Sequence, residues 1–234
     1  MPTHINLDDP RIPRRDPGIK RKWTYSIIII LAAFYWSART TGFNIINVVE
    51  GVPDFFDLIQ DMYPPKWSSL PKLVAPFIET VQIAVLGTFA GAILAIPLSL
   101  LSANNVNKIP ALYYICKAIM NLIRTIPHLL YAALLVAAVG LGPFPGVIAL
   151  TFFSLSIIAK LTSESLEAID PGPMEALEAA GATKLETIIY AVIPQIAPAY
   201  TSYSLYVFEI NIRTSTVLGL VGAGGIGQTL MTAL

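Results

Sequence analysis

The sequence predicts an all-α membrane protein, a bundle of helices that cross the bilayer several times. Hydrophobic residues make up 55% of its 234 residues and charged residues only 13%, whereas a soluble domain carries about 25% charged residues. Several segments contain the roughly 20 mainly apolar residues that a helix needs to cross the hydrocarbon core. The formal net charge is zero, which argues against nucleic acid as a partner. The single cysteine, Cys116, excludes a disulfide within the chain.

The N-terminal segment, residues 1–22, is basic, and we expect it to lie in the cytoplasm because positive charge favours that side. The first helix is predicted from Trp23 to about Phe43. A cleaved signal peptide is the rival interpretation. It is disfavoured because Trp36 and Arg39 bracket the place where a small-residue cleavage site would lie. The basic residues are Arg11, Arg14, Arg15, Lys20, Arg21 and Lys22.

Four further spans complete the predicted transmembrane domain, residues 23–234. The second span contains Gly87-x-x-x-Gly91, a small-residue face that lets helices approach closely. The third is too long for one straight crossing, and Pro127 is expected to kink it so that its first part lies along the inner interface. The four spans are roughly 77–101, 112–139, 144–169 and 188–220.

The loops are then assigned by alternation of sides. With the N-terminus inside, segment 39–72 is the outer loop and segment 170–187 is an inner loop. The inner placement of 170–187 rests on this alternation, because Lys184 is its only basic residue. Five spans leave the C-terminus outside, within an apolar helical pattern. We therefore expect a sixth helix of about 20 residues beyond residue 234.

The inner loop interrupts two apolar segments with "EALEAAGATKLETIIYAVIP", residues 175–194. Asp170 is a predicted N-cap, with Pro171 just inside the start of a short helix. Gly181 is expected to end that helix in the left-handed conformation. Thr183 and Glu186 have the spacing of a capping box that starts the next helix. The local pattern therefore predicts a short helix, a corner and a second helix, which Pro194 interrupts as it enters the bilayer.

Small side chains cover one face of the predicted short helix. Ala176, Ala179 and Ala180 fall at positions i, i+3 and i+4, which places them together on that face. A bare face of this kind fits into a groove on a partner protein. An ordinary capped cytoplasmic loop is the alternative that the local pattern leaves open.

This loop resembles the signature loop of ABC-importer permeases, in which Glu-Ala-Ala is followed at fixed spacing by Gly and by Leu-Pro. Glu175, Ala176, Gly181 and Pro194 match, and the remaining signature positions hold other apolar residues, Leu177, Ala191 and Ile193. The resemblance implies a coupling helix that docks on a separate ATPase subunit. The implied coupling residues are Asp170, Pro171, Gly172, Pro173, Glu175, Ala176, Glu178, Ala179, Ala180 and Gly181.

Four longer segments resemble the phosphonate branch of that family. The resemblance implies a type I permease fold and import of phosphonates or the related oxyanions phosphite and phosphate. Lys66 and His128 differ from the residues expected in that branch. The segments are "YPPKWS" (63–68), "IRTIPHLLYAALLVAAVGLGPFPGVIAL" (123–150), "SESLEAIDPGPMEALEAAGATKLE" (163–186) and "FEINIRTSTVLGLVGAGGIG" (208–227).

Ionisable side chains inside predicted spans are candidates for the substrate path, because such residues usually face an interior or an aqueous route. Glu209 and Arg213 lie one helical turn apart in the fifth span, and we place Arg213 toward the outer end. Arg124 and His128 flank the expected kink. A structural ion pair is the alternative for Glu209 and Arg213. That interpretation is the favoured one for the other pair, Lys160 and Glu164.

The glycines near the C-terminus spell the dinucleotide-binding pattern G-x-G-x-x-G, at Gly222, Gly224 and Gly227. No strand precedes them and no acidic residue follows at the required distance, so cofactor binding is disfavoured. With Gly225, they instead predict a tight turn at the outer mouth, where glycine permits close approach of helices.

The sequence contains no phosphate-binding P-loop motif. We therefore expect no cofactor and no metal on this chain, and we expect ATP and Mg²⁺ on a partner ATPase. The resemblance implies a homodimer with two ATPase subunits inside and a substrate-binding protein outside. A stand-alone secondary transporter or channel is the alternative, although no internal repeat supports it. A membrane-embedded enzyme is a third possibility, without a visible cluster of catalytic residues.

Overall fold

The structure is a computed structural model that describes residues 19–61, 63–65 and 67–233. Most of the predicted cytoplasmic segment, residues 1–18, lies outside the described residues. The described chain divides into two compact units, Met1–Pro65 and Lys66–Leu234.

The first unit contains helix α1, Ile19–Thr40, and helix α2, Ile45–Asp61. The helix predicted near the N-terminus is therefore present. It begins four residues earlier and ends three residues earlier than predicted. The prediction of an outer loop over 39–72 missed α2, because the segment contains four acidic residues typical of an exposed loop, Glu50, Asp54, Asp57 and Asp61. The apolar residues between those acids recur at helical spacing, which is the signal that was overlooked.

The second unit contains the remaining helices. Helices α3, α6 and α9 pack against one another, α4 and α5 pack on α6, and α10 packs on α3 and α9. A 3₁₀ turn at Trp67–Ser69 precedes α3, and a π-helical turn at Ile188–Val192 joins α8 to α9. The helices are α3 (Leu70–Leu101), α4 (Pro110–Thr125), α5 (His128–Val139), α6 (Pro143–Glu167), α7 (Gly172–Ala179), α8 (Lys184–Thr187), α9 (Ile193–Gly219) and α10 (Gly225–Ala233).

Helices occupy all five predicted spans, but they differ in how well they suit the bilayer core. Among the described residues, Trp67–Leu101 and Pro143–Glu167 are long and apolar enough to cross a membrane, and the bent pair α4–α5 makes a third crossing if it is one broken span. Helix α1 falls short because Trp, Tyr and Ser flank its short isoleucine run. Helix α9 falls short because it carries Glu209, Arg213 and many hydroxyl side chains.

The predicted kink in the third span is confirmed. Helices α4 and α5 meet at an angle of 81°. Ile126 has φ −91° and ψ 122°, and Pro127 then caps α5 with an extended ψ of 136°. A proline disfavours the helical conformation of the residue before it, which explains why the chain breaks at Ile126.

Helices α3 and α6 come into close contact at the predicted pair of glycines. A Cβ atom on Gly87 would lie 2.5 Å from Leu150 Cβ, and one on Gly91 would lie 2.4 Å from Ser154 Cβ and 2.8 Å from Thr151 O. Distances below 3 Å are incompatible with a real side chain, so this approach requires glycine at both positions.

A buried polar junction joins the three central helices one turn from Gly91. The Asn211 Nδ2 group of α9 donates to Thr88 Oγ1 of α3 and to Ser154 Oγ of α6, each at 2.7 Å. Asn211 and Ser154 are fully buried. Two further bonds tie α9 to α3, from Tyr200 Oη to Ala92 O and from Ser215 Oγ to Thr80 O. Hydrogen bonds of this kind fix the register between membrane helices.

We predict that Gly91→Ala destabilises the second unit by about 1–3 kcal/mol, because the added methyl group forces α3 and α6 apart. The measurement is the free energy of unfolding in mixed detergent micelles. Gly51→Ala in α2 is the matched control, since a Cβ there meets no atom within 4 Å. Equal stabilities of the two variants would contradict the close contact between α3 and α6.

Candidate functional site

The N-cap of the short helix α7 is Pro171, one residue after the predicted Asp170, which instead bonds to the first helical residue from just outside the helix. Asp170 Oδ1 accepts a hydrogen bond from the Gly172 backbone N–H at 2.9 Å. The regular helix begins at Gly172, one residue after the predicted Pro171, and Glu175 lies in its first turn. Carboxylates at this end are favoured by the helix dipole, so Asp170 and Glu175 both stabilise the short helix.

The end of α7 forms a Schellman motif around Gly181. Gly181 has φ +87°, its N–H donates to Glu178 O at 3.0 Å, and the Ala182 N–H donates to Leu177 O at 3.0 Å. This paired pattern satisfies carbonyls at the helix end. A Cβ on Gly181 would meet no atom within 4 Å, so the need for glycine there arises from the backbone alone.

The next helix starts with the predicted capping box. The Thr183 backbone N–H donates to Glu186 Oε2 at 2.7 Å, and the Glu186 N–H donates back to Thr183 Oγ1 at 3.4 Å. The hydrogen bond from the Thr183 backbone, together with one from its hydroxyl group, lowers the pKa of Glu186. The corner between α7 and α8 is therefore set by local bonds at both of its ends.

Pro194 does not interrupt the second helix, contrary to the prediction. The irregularity lies before it, in the π-helical turn Ile188–Val192, where the Ile193 N–H donates to Ile188 O. Proline has no N–H and its ring crowds the carbonyl four residues earlier. The wider π turn accommodates that crowding, so helical structure continues from Lys184 to Gly219.

The outer surface of α7 presents the predicted face of small residues. Ala176, Ala179 and Ala180 are exposed, as are Glu175 and Glu178. The opposite side holds the helix to the bundle. There Met174 packs against a buried cluster from the second unit, formed by Ala103, Leu166, Val192 and Ile196. One side of the short helix thus packs against the bundle, and its face of small residues is exposed.

One joint ties the start of the loop to α9 through Gln195, a residue that sequence reasoning missed. Gln195 Oε1 accepts from the Asp170 N–H at 3.1 Å, and Gln195 Nε2 donates to Asp170 O at 3.3 Å and to Ala191 O at 2.9 Å. The side-chain amide thus pairs with the backbone of Asp170 and also with the π turn. Its position directly after Pro194 was the only sequence signal for this role.

A second joint ties the end of α6 to α4. Lys117 Nζ lies 3.1 Å from Glu167 Oε1, and the Asn104 N–H donates to the same carboxylate oxygen at 3.4 Å. Lys117 also lies over the ring of Tyr113, 4.3 Å from its centroid. Because Glu167 is three residues before Asp170, this ion pair attaches the start of the loop to α4.

The predicted charge pair in α9 forms and is exposed. Arg213 Nη2 lies 3.0 Å from Glu209 Oε1, and their side chains are 77% and 69% exposed in the single chain. A charge facing lipid costs about 2.5–3.5 kcal/mol on insertion scales, so this surface of α9 requires a watery or protein neighbour. The structural pair predicted in α6 also forms, with Lys160 Nζ 2.8 Å from Glu164 Oε1.

Arg124 and His128 line a common cavity at the kink between α4 and α5. The cavity has a volume of about 250 Å³ and is walled on its far side by Phe153 and Ser156 of α6. The His128 ring meets Phe153 edge-on, with centroids 5.0 Å apart. Arg124 and His128, both predicted for the path, therefore share one partly enclosed space.

The two charged spots lie at similar depths. Asn211, two residues before Arg213, contacts Ser154, and the adjacent residue Phe153 lines the kink cavity. Ser154 is close to the middle of α6. Arg213 is therefore about 3 Å along the axis from the level of Ser154, and it lies six residues before the end of α9. Its placement toward the outer end of the span stays a prediction. Within the described residues the two spots share no hydrogen bond or ion pair.

The glycine-rich segment forms the predicted tight turn between α9 and α10. Gly222, Gly224 and Gly225 have φ of +87°, +84° and +74°. A Cβ on Gly227 would lie 2.0 Å from Thr216 O, so α10 folds back directly against α9. The placement of this turn at the outer mouth stays a prediction, as do the functional roles assigned to the other candidate residues.

Comparison with solved structures supports the fold. The chain resembles the inward-facing MetNI methionine ABC transporter, with a TM-score of 0.63 and 25% identity over 70% of this chain and 81% of that chain. The architecture is thus the type I permease fold, a multi-pass helical bundle. The chain belongs to the family of binding-protein-dependent transport system inner membrane components, which matches residues 95–234.

Two curated relatives illustrate the family. The chain is 39% identical to the putative phosphite transport system permease protein HtxC of Stutzerimonas stutzeri over 212 residues, 90% of this chain and 74% of that protein. It is 44% identical to the phosphate-import permease protein PhnE of Mycolicibacterium smegmatis over 174 residues, 74% of this chain and 33% of that protein. The resemblance to ABC-importer permeases is therefore confirmed.

We predict that Gly181→Val disrupts the Schellman motif between α7 and α8. A β-branched residue in the left-handed conformation costs at least about 1–2 kcal/mol. Gly181→Asn is the matched control, since asparagine adopts this conformation readily. Amide hydrogen exchange over 176–187 in the purified chain is the measurement. Faster exchange in the valine variant alone is expected, and equal exchange in both would contradict the conformational requirement.

Proposed function

We propose that this chain is the permease subunit of an ATP-driven importer for phosphonates or a related phosphorus oxyanion, phosphite or phosphate. The observation that carries the coupling role is α7, a short helix with an exposed face of small residues, preceded by two connections to membrane helices, at Asp170 to α9 and at Glu167 to α4. The substrate class is supported by relatives whose names specify phosphite and phosphate transport.

The two joints define how motion would reach the membrane. An ATPase that docks on Ala176, Ala179 and Ala180 displaces α7 when it binds ATP. The pairing between Asp170 and Gln195 passes that displacement to α9. The ion pair between Glu167 and Lys117 passes it to α4 and so toward the kink. ATP and Mg²⁺ bind on the ATPase, and two ATPase subunits serve one pair of permeases.

The exposed charges on α9 support a homodimer. Glu209 and Arg213 are mostly exposed in a single chain, whereas the exposed side chains on α3 include the apolar Phe77, Leu86 and Phe89. Apolar side chains suit lipid, and charged ones suit water or another protein. Two copies that face each other through α9 would enclose a polar route, with α3 turned toward the bilayer.

The cationic side chains suit an oxyanion on that route. A guanidinium group binds phosphorus oxyanions through two parallel hydrogen bonds, and both Arg213 and Arg124 lie within predicted spans. A substrate-binding protein on the outer side would deliver the anion. Arg124 and His128 then offer it a second contact in the kink cavity.

We predict that Ala179→Trp disrupts docking of the ATPase, because the indole overfills the groove that receives the small face. Overpacking of a close contact costs about 1–3 kcal/mol, so affinity for the ATPase is expected to fall about tenfold. The measurement is co-purification of the ATPase from membranes. Ala179→Ser keeps a small side chain and serves as the control. Undiminished co-purification of the tryptophan variant would refute the docking face.

We predict that Arg213→Ala lowers uptake of a phosphorus oxyanion by about tenfold, the loss expected for a hydrogen-bonded charge. Phosphite, phosphate and methylphosphonate are offered separately to the complex in proteoliposomes, with the binding protein and ATP. Assembly with the ATPase is expected to stay intact, and Arg213→Lys is expected to retain part of the uptake. Loss of assembly would favour a structural pair with Glu209, and uptake of none of the three anions by the wild type would refute the substrate class.

A further inference from the structure

Helix α2, Ile45–Asp61, has a strongly apolar face within the first unit. Val49, Val52, Phe56 and Ile59 follow each other at intervals of three and four residues, which aligns them along one side of the helix. Their side chains are exposed by 64%, 45%, 56% and 45%. A continuous row of exposed, large apolar side chains usually marks a surface that contacts lipid or another protein.

The opposite face of α2 is acidic. Glu50, Asp54 and Asp57 are exposed and lie at intervals of four and three residues. At 100° per residue these carboxylates point away from the apolar row. The helix contains no lysine, arginine or histidine, so nothing on it neutralises the acidic face. Water suits this face, and anionic lipid offers it no electrostatic attraction.

Short connections join α2 to the elements before and after it in the chain. Four residues, 41–44, separate α2 from the end of α1, and five residues, 62–66, separate it from the membrane-crossing segment Trp67–Leu101. At about 3.3–3.6 Å per residue, neither connection reaches further than about 20 Å.

These lengths restrict how α2 can be oriented. The helix itself is about 25 Å long. Standing upright on the surface, it would carry one of its ends further from the bilayer than the connection at that end can reach. On the predicted topology, with 39–72 as an outer loop between the first two spans, α1 ends and Trp67–Leu101 begins at the same side of the membrane, so α2 lies along that side. At the membrane boundary, lipid is the apolar material nearest to this row of side chains.

We propose that α2 is an interfacial helix, lying in the plane of the membrane with its apolar row inserted among the lipid chains and its acidic face in water. Helices with such opposed faces bury the apolar side about 5–10 Å into the boundary between headgroups and acyl chains. The acidic face makes binding independent of anionic lipid, unlike the binding of interfacial helices with basic faces. The helix would anchor segment 39–72 to the lipid surface.

The test uses single cysteines in the full chain, reconstituted in phosphatidylcholine vesicles after Cys116→Ser. A nitroxide label is placed in turn at Val49, Val52 and Phe56. Matched controls carry it at Glu50, Asp54 and Asp57 on the same helix. Electron paramagnetic resonance then measures collisions with oxygen, which concentrates in lipid, and with a water-soluble nickel chelate.

We expect the labels on the apolar row to collide mainly with oxygen and the labels on the acidic face to collide mainly with nickel, by severalfold in each direction. Access of nickel to all six positions would overturn the proposal by showing α2 in water. Shielding of the apolar row from both reagents would also overturn it, because a protein surface would then cover that row. The pattern is expected to be the same when anionic lipid is added.

Discussion

The close contact between α3 and α6 at Gly87 and Gly91 is the constraint on which the rest of the second unit depends. It brings Thr88 and Ser154 near enough for one asparagine side chain, that of Asn211, to hydrogen-bond both. In a membrane, where apolar side chains gain little by leaving lipid, such close packing and shared polar bonds replace the hydrophobic effect as the source of specificity. The register of α9, and therefore the direction in which Arg213 points, follows from that junction.

The coupling loop achieves its shape by a different means. Asp170, Gly181 and the pair Thr183 and Glu186 each close a helix end with bonds to residues no more than five positions away. A loop whose helix ends are closed by its own residues suits the docking role proposed for it. Met174, Gln195 and Glu167 are among the residues that connect it to the rest of the bundle.

The difference between local and long-range bonds also explains what could be predicted from sequence. The caps of the loop, the glycine turn, the kink at Pro127 and the ion pair between Glu209 and Arg213 all depend on residues close in the chain, and each is present. Gln195, the pair between Lys117 and Glu167, and the Asn211 junction join residues 25 to 123 positions apart, and periodicity carries no information about them. Helix α2 was missed for another reason, since its apolar spacing was outweighed by its acidic residues.

The helical rod from Lys184 to Gly219 has a mechanical consequence. It is gripped near its lower end by Gln195, held at Asn211 by two neighbouring helices, and finished by the glycine turn. At 1.5 Å per residue, the distance along the rod is about 24 Å from Gln195 to Asn211 and about 12 Å from Asn211 to Gly219. A rod that tilts about Asn211 behaves as a seesaw with unequal arms. A displacement at Gln195 then becomes an opposite displacement of about half the size at the glycine turn. Because Tyr200 and Ser215 bond the rod to α3 on either side of Asn211, α3 has to tilt with it.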